Sequence, residues 1–192
     1  MKGENGSIPA FARDILQTLE GAGHEAYCVG GCVRDTLLGR TPGDWDITTS
    51  ARPEETLALF GADALPTGLR HGTVTVRRPD GSAEVTTFRR DGDYTDHRHP
   101  ESVAFTDSLT EDLARRDFTV NAMALSLRGE LRDPFHGRED LAAGRIRCVG
   151  EPARRFGEDA LRILRGLRFA AVLGFAIEPE TQDAIFLCAE RT

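Results

Sequence analysis

The feature that most constrains the fold of this chain is a short apolar segment that runs into two adjacent glycines. Residues 26–29 have the composition of a buried strand, Gly30 and Gly31 follow, and residues 32–38 are typical of a helix. Glycines without Cβ atoms let backbone N–H groups approach a phosphate, and a helix N-terminus adds partial positive charge. Arg34, one turn into the helix, can bind the same phosphates through its forked guanidinium. The segment therefore predicts a strand, turn and helix that bind a triphosphate.

Two aspartates follow about ten residues later. Asp44 and Asp46 flank Trp45 at the start of a predicted strand, 45–49, and residues two apart on a strand face the same side. We expect the two carboxylates to converge and Trp45 to pack on the opposite face. Close carboxylates repel each other unless a cation lies between them, and Mg²⁺ is the usual partner of such oxygens. A glycine turn and two solvated aspartates are the alternative, but the joint spacing favours two-metal nucleotidyl transfer.

The remaining pattern predicts two parts. Residues 1–150 read as mixed α/β, and residues 151–192 read as the beginning of an all-helical region that we expect to continue beyond Thr192. The predicted elements are helices over 7–20 (with Ser7 as N-cap), 32–38, 54–60, 152–156 and 158–173, strands over 26–29, 45–49 and 145–149, a hairpin of 72–78 and 83–88, and a long loop over 89–100.

Four motifs, in order along the chain, resemble those of the class II nucleotidyltransferases. This family comprises bacterial and eukaryotic tRNA CCA-adding enzymes and bacterial poly(A) polymerases, relatives of the DNA polymerase β superfamily. The motifs occupy 29–47, 115–124, 133–137 and 158–165, so the resemblance spans about residues 25–175. It implies an α+β, polymerase-β-like nucleotidyltransferase head over 1–150, a small mixed sheet with flanking helices, followed by a truncated helical neck over 151–192 that recognises the base.

The resemblance also implies roles for individual residues. Asp44 and Asp46 would be catalytic and hold Mg²⁺, and Glu84 would be a third catalytic acid, although a surface-facing strand glutamate is nearly as good an interpretation. The nucleotide would be bound by Gly30, Gly31, Arg34, Arg116, Asp117, Asp159, Arg162, Arg165 and Arg168.

Asp159 and Arg162 would read the base. They are three residues apart on the helix predicted over 158–173, so both side chains can reach one ligand. A carboxylate accepts a hydrogen bond from an exocyclic amine and a guanidinium donates to a ring acceptor, a pattern that cytosine and adenine share. The alternative is an amphipathic helix with a solvated arginine face.

The segment 90–100 resembles the flexible loop that is implicated, in CCA-adding enzymes, in the switch from adding C to adding A. Together the motifs predict a template-independent RNA nucleotidyltransferase that adds C and A from CTP and ATP to the 3′ end of tRNA with Mg²⁺. Poly(A) polymerase, a CC-adding or A-adding specialist, and a catalytically silent nucleotide- or tRNA-binding module remain open alternatives.

Composition constrains partners and compartment. The formal charge is −7, so RNA must be held by local basic patches. No uncharged stretch reaches about 12 residues, whereas a membrane helix needs roughly 18, and residues 1–6 lack the apolar core of a signal peptide. The four cysteines, at irregular spacing, fit a reducing cytosol. We expect a cytoplasmic protein without membrane association, and no protein partner is predicted.

Overall fold

A computed structural model describes residues 8–92 and 103–189. Within them, eleven strands occur in chain order: β1 (Ala26–Val29), β2 (Asp46–Thr49), β3 (Ala64–Gly68), β4 (Thr73–Arg78), β5 (Gly81–Thr87), β6 (Arg89–Asp91), β7 (Val103–Phe105), β8 (Ala124–Leu125), β9 (Leu131–Arg132), β10 (Arg145–Ile146) and β11 (Ala176–Ile177). Seven of these form one sheet in the order β3-β4-β5-β2-β1-β8-β9. Only β2 and β5 are parallel neighbours in that sheet, so it is mixed, as predicted.

Helices flank the sheet and then continue after it. In the described residues they are α1 (Ala10–Gly21), α2 (Gly31–Leu37), α3 (Pro53–Phe60), α4 (Leu109–Ala114), α5 (Gly137–Ala142), α6 (Pro152–Glu158), α7 (Leu161–Leu173) and α8 (Pro179–Ala189). Three short 3₁₀ turns lie at Gly61–Asp63, Leu69–His71 and Thr119–Asn121. None of the helices in this part of the chain is long and apolar enough to cross a membrane. The α+β fold class predicted from the sequence is confirmed.

The core lies between the sheet and the flanking helices. On α1, Ile15, Leu16 and Leu19 repeat at helical spacing and are completely buried against the sheet. On β4, Val74 and Val76 alternate with threonines and are also completely buried, which is the pattern of a strand with one face in the core. β4 pairs with β5 in an antiparallel register from Thr73 opposite Thr86 to Arg78 opposite Gly81, so the predicted hairpin is confirmed.

Several predicted boundaries were wrong. The first helix begins at Ala10 with Pro9 at its N-cap, whereas Ser7, the predicted cap, lies outside the described residues. The predicted loop over 89–100 begins with a strand, because β6 pairs with β7 in an antiparallel ladder; most of it, 93–100, lies outside the described residues. The region after 150 is not all helical, since β11 pairs with β10.

Two differences concern predicted site residues. Asp44 precedes β2, which begins at Asp46, so the two aspartates do not lie on one strand. Trp45 between them packs into the core with 8% exposure, as expected. Asp159 does not lie on a helix: with φ −143° and ψ 103° it is extended and separates α6 from α7. The sequence predicted the break between these two helices at residue 157, whereas the structure places it at residues 159–160.

Candidate active site

A cavity of about 600 Å³ is lined by residues from β2, α2, α7 and the segment after α4. Ten of the twelve residues predicted for the site line it: Gly30, Gly31, Arg34, Asp46, Arg116, Asp117, Asp159, Arg162, Arg165 and Arg168. The other two, Asp44 and Glu84, line a neighbouring cavity of about 820 Å³. Asp46 lines both cavities, so it lies in the wall between them.

The glycine turn leaves room between a cation and a carboxylate. Gly30 has φ 79° and ψ −133°, a conformation that residues with a side chain rarely adopt. A Cβ atom at this position would lie 3.1 Å from Nη1 of Arg116 and 3.8 Å from Oδ2 of Asp46. Any side chain here would therefore enter the space that these two charged groups border.

The acids meet through strand register. Asp46 on β2 is the aligned partner of Glu84 on β5, and aligned residues of neighbouring strands project from the same face. Burial raises the pKa of Asp46; the charge of Arg116 opposes this, and the carboxylates of Glu84 and Asp44 raise the pKa further. The structure thus brings the three predicted acids within electrostatic reach of one another.

The acids alone do not form a metal cage. Within residues 8–92 and 103–189, no three His, Cys, Asp or Glu side chains are gathered so that they could hold a metal ion. The carboxylates are nevertheless the oxygen donors that Mg²⁺ prefers, and this ion commonly takes one or two protein carboxylates together with phosphate and water. The donor set therefore fits Mg²⁺ bound jointly with a nucleotide.

A chain of hydrogen bonds joins the glycine turn to α7. Arg34 donates from Nη1 to Oδ1 of Asn121 (2.8 Å), and Asn121 donates from Nδ2 to Oδ1 of Asp117 (3.3 Å). The other oxygen of Asp117 accepts from Nε of Arg165 on α7 (2.6 Å). Asp117 therefore orients protein groups on both sides of the cavity, in addition to lining it.

A buried carboxylate that was not predicted holds the next arginines in place. Asp112 on α4 is completely buried and accepts from Nε of Arg115 (2.9 Å), Oγ1 of Thr48 (3.0 Å) and the backbone N–H of Arg89 (3.2 Å). Nη2 of Arg116 lies 3.7 Å from its second oxygen. Although burial raises the pKa of Asp112, the positive charges of Arg115 and Arg116 outweigh that effect and hold the pKa below its ordinary value.

The predicted base-reading pair is adjacent but not arranged as expected. Oδ1 of Asp159 accepts from the backbone N–H of Leu161 (2.9 Å), and its Oδ2 lies 4.0 Å from Nε of Arg162. Arg162 is buried and donates to Oε2 of Glu158 (3.1 Å) and to the backbone oxygen of Arg155 (2.9 Å). Glu158 therefore holds Arg162 at the cavity.

Sequence reasoning missed part of the lining. Asp91 was predicted only as part of the flexible loop, and no role was assigned to the other six lining residues: His71, Arg89, Arg115, Asn121, Leu161 and Phe169. Arg115 and Asn121 stand inside a motif that was recognised, so their positions beside Arg116 were a usable signal. No local pattern marks His71 or Arg89, because they reach the cavity through the pairing of distant strands.

A mixed sheet that carries an acid on a strand beside a glycine turn, with an arginine-lined cavity next to it, defines a nucleotidyltransferase head. Residues 26–147 match the sequence profile described as "Poly A polymerase head domain". Because this match covers more than half of the chain, the protein belongs to the poly(A) polymerase head domain family.

Known proteins of high similarity are CCA-adding enzymes. The chain is 52% identical over 176 residues to the CCA-adding enzyme of Oceanobacillus iheyensis, covering 92% of this chain and 44% of that protein. It is 53% identical over 174 residues to the CCA-adding enzyme of Geobacillus stearothermophilus, covering 91% of this chain and 43% of that protein. The chain thus spans less than half the length of these relatives.

Solved structures of high similarity are also of tRNA nucleotide-adding enzymes. The crystal structure of Bacillus stearothermophilus CCA-adding enzyme in complex with CTP is similar with a TM-score of 0.84 and 48% identity, covering 93% of this chain and 43% of that chain. A tRNA nucleotidyltransferase complexed with a primer tRNA and an incoming ATP analog is similar with a TM-score of 0.74 and 34% identity, covering 92% of this chain and 50% of that chain.

Proposed function

We propose that this chain contains the catalytic head and the first helices of the neck of a template-independent RNA nucleotidyltransferase, which adds C and A from CTP and ATP to the 3′ end of tRNA. The observation that carries the proposal is the position of Asp46 in the wall between two cavities, with Glu84 aligned beside it. We also propose the domain division at residue 150 and a cytoplasmic location, the latter supported by the buried thiols Cys28, Cys32 and Cys148.

The incoming nucleotide occupies the cavity of about 600 Å³. Gly30, Gly31 and Arg34 hold its triphosphate, and Arg116 lies beside Asp46 where it faces the α-phosphate. The other cavity admits the tRNA 3′ end, so the terminal hydroxyl reaches the phosphorus from the side opposite the departing pyrophosphate. The oxygen–phosphorus bond to the tRNA forms as the bond to pyrophosphate breaks, and the proton of the attacking hydroxyl passes to solvent.

Asp44 and Asp46 would hold Mg²⁺ in this arrangement. Bound there, Mg²⁺ would lower the pKa of the attacking hydroxyl and neutralise charge on the pyrophosphate. Glu84 is the third acid, and its alignment with Asp46 supports a catalytic role over that of a surface glutamate. Asp117 orients the nucleotide through the contacts that it makes to Asn121 and Arg165.

Base selection is assigned to Asp159 and Arg162, with Arg165 and Arg168 contacting the nucleotide. Arg162 is buried, and its hydrogen bond to Glu158 holds the guanidinium in place. A base without a matching acceptor would leave buried donors unpaired, so this residue discriminates strongly between bases. CTP and ATP are therefore preferred to UTP and GTP.

Two measurements test the proposal. Calorimetry with Mg²⁺ should show that the chain binds CTP and ATP at least tenfold more tightly than UTP, and that Arg162→Lys narrows this preference. Labelled CTP and ATP, supplied to the full-length protein with a tRNA that lacks its last three nucleotides, should give a CCA end. Long tails from ATP alone would instead support poly(A) synthesis, and binding without any incorporation would support a silent binding module.

A further inference from the structure

Phe169 on α7 lies at the centre of three arginines that border the nucleotide cavity. Its ring is buried (8% exposed) and lines the cavity. The guanidinium carbons of Arg168, Arg34 and Arg165 lie 4.8, 5.4 and 5.5 Å from the ring centroid, all within the distance at which a cation is attracted to an aromatic face. The three arginines come from two separate helices, α2 and α7, so the ring joins both walls.

The ring does something for these cations that a carboxylate cannot do. Three guanidinium groups around one point repel one another, and an acid placed between them would neutralise the charge that an anionic ligand needs. An aromatic face attracts cations through its quadrupole and carries no net charge, so the positive potential remains available to phosphate. Two of the three arginines are also paired with one carboxylate each, Arg34 with Asp35 (2.9 Å) and Arg165 with Asp117 (2.6 Å). In the described part of the chain, no carboxylate lies within 4.0 Å of Arg168, so the charge of this arginine remains available to a ligand.

The ring is itself held in one orientation. Phe118 contacts it edge to face, with centroids 5.9 Å apart and an interplanar angle of 81°. Phe118 in turn packs against Gly166, where an added Cβ atom would lie 2.9 Å from the phenyl ring. A small residue one turn before Phe169 therefore lets α7 approach Phe118 closely, and this fixes the plane of the Phe169 ring.

We propose that Phe169 is a positioning residue that gathers Arg34, Arg165 and Arg168 around the triphosphate of the incoming nucleotide. The inference rests on the proposed function and deepens it, because it assigns the polyphosphate end of the ligand to this arginine cluster. Its specific content is that the electron density of the ring, and not only its volume, sets the affinity for triphosphates.

Replacing ring hydrogens with fluorine separates these two properties, since fluorination weakens the quadrupole stepwise while changing ring volume little. Mono-, di- and trifluorophenylalanine are incorporated at position 169 by nonsense suppression. The dissociation constant of Mg²⁺–CTP is then measured by calorimetry beside that of CMP, with the thermal midpoint as a check on folding. We expect a stepwise loss that reaches about tenfold for CTP, which corresponds to about 1.4 kcal/mol, and a change of less than twofold for CMP.

The same series at Phe156 is the matched control. Phe156 is buried with 2% exposure, and no arginine lies over its ring among the residues that the structure describes. Fluorination there should leave the affinity for CTP unchanged. If fluorination at 169 lowers the thermal midpoint, Phe169→Tyr, which keeps the aromatic face, should retain CTP affinity while Phe169→Leu should lose it.

The outcomes are distinct. Equal CTP affinity across the fluorinated series, in a protein that binds CTP, overturns the positioning role and leaves the proposed function intact. An equal loss for CTP and CMP also overturns it, because the ring would then act on the nucleoside. Failure of the unmodified protein to bind CTP contradicts the proposed function itself.

Discussion

Replacing Asp112 with alanine should remove a large part of the stability of this fold. The carboxylate is completely buried and accepts three hydrogen bonds at 2.9–3.2 Å, one of them from the guanidinium of Arg115. The side chains of Arg115 and Arg116 are themselves only 16% and 17% exposed. Removing one partner of such a buried pair typically costs about 3–5 kcal/mol, because the remaining charge stays in a desolvated site.

This loss is large compared with the total free energy of unfolding of a typical domain. A domain of ordinary stability unfolds with about 5–15 kcal/mol, and the slope of that free energy against urea is about 1–3 kcal/mol per molar. At a slope of about 2 kcal/mol per molar, Asp112→Ala should lower the urea midpoint by about 2 M. The urea midpoint of Asp112→Asn, which keeps one acceptor oxygen, should lie between those of Asp112→Ala and the unsubstituted protein.

The assay is urea unfolding followed by circular dichroism, with Glu130→Ala as the control. Glu130 forms an ion pair with Arg132 at 3.3 Å, but both side chains are more than half exposed, so we expect a change below about 1 kcal/mol. A loss of less than about 1 kcal/mol in the free energy of unfolding for Asp112→Ala would refute the reasoning. It would mean that water solvates Arg115 and Arg116 when the carboxylate is removed.

Three further predictions follow from the same structure. Asp46→Asn should abolish nucleotide incorporation yet raise the free energy of unfolding in Mg²⁺-free buffer near pH 7. Because the pKa of Asp46 is raised in the folded protein, its ionised form opposes folding above that pKa. An unchanged or lower free energy of unfolding would contradict this prediction. The lowered pKa of Asp112 means that its stabilisation is present above about pH 4 and is lost as pH falls through the folded-state pKa, so Asp112→Asn should flatten the acid limb of stability against pH. Gly137→Ala should destabilise the fold by about 3 kcal/mol or more, because the added Cβ would lie 2.1 Å from the backbone oxygen of Thr119. Gly157→Ala on α6, whose Cβ would have no atom within 4 Å, should instead stabilise the fold by up to about 1 kcal/mol. Urea unfolding of the two variants tests both expectations.

Local patterns in the sequence predicted the parts of the site that are close together in the chain. The strand, glycine turn and helix around Gly30 form within one segment, and the position of Arg34 follows from helix geometry alone. Trp45 was expected in the core because its neighbours are acids, and it is buried. These features depend on periods of two and 3.6 residues, which a sequence displays directly.

Long-range pairing could not be predicted in this way. Glu84 lies beside Asp46 because β2 and β5 are parallel neighbours. The sequence of either strand does not indicate which other strand pairs with it. Asp112 looks like an ordinary acid in the first turn of a short helix, and only the packing of α4 beside β2 turns it into a buried acceptor. Phe169 occupies an apolar position typical of any helix, so its arginine neighbours were invisible in the sequence.

The helix α7 shows how amphipathic reasoning fails at a binding site. Leu164 and Leu167 are 63% and 47% exposed, while Arg162 on the same helix is 5% exposed. A hydrophobic stripe normally indicates the buried face of a helix. Here the buried face carries the guanidinium because Glu158 and the backbone oxygen of Arg155 supply partners that offset its desolvation.

The charge of the whole chain is likewise no guide to the charge of its cavity. The protein carries a formal charge of −7, but seven arginines and four aspartates line the cavity, an excess of three positive charges. Several of these arginines are anchored by groups that do not themselves border the cavity: Asp112 holds Arg115 and Glu158 holds Arg162. Positive groups fixed in place before the ligand arrives need no reorganisation when a triphosphate binds, so the acids behind the cavity wall favour binding by holding these arginines in position. Such an arrangement explains why an acidic protein can present a strongly basic site, and it predicts that neutralising the hidden acids weakens triphosphate binding even though their removal makes the protein more positive.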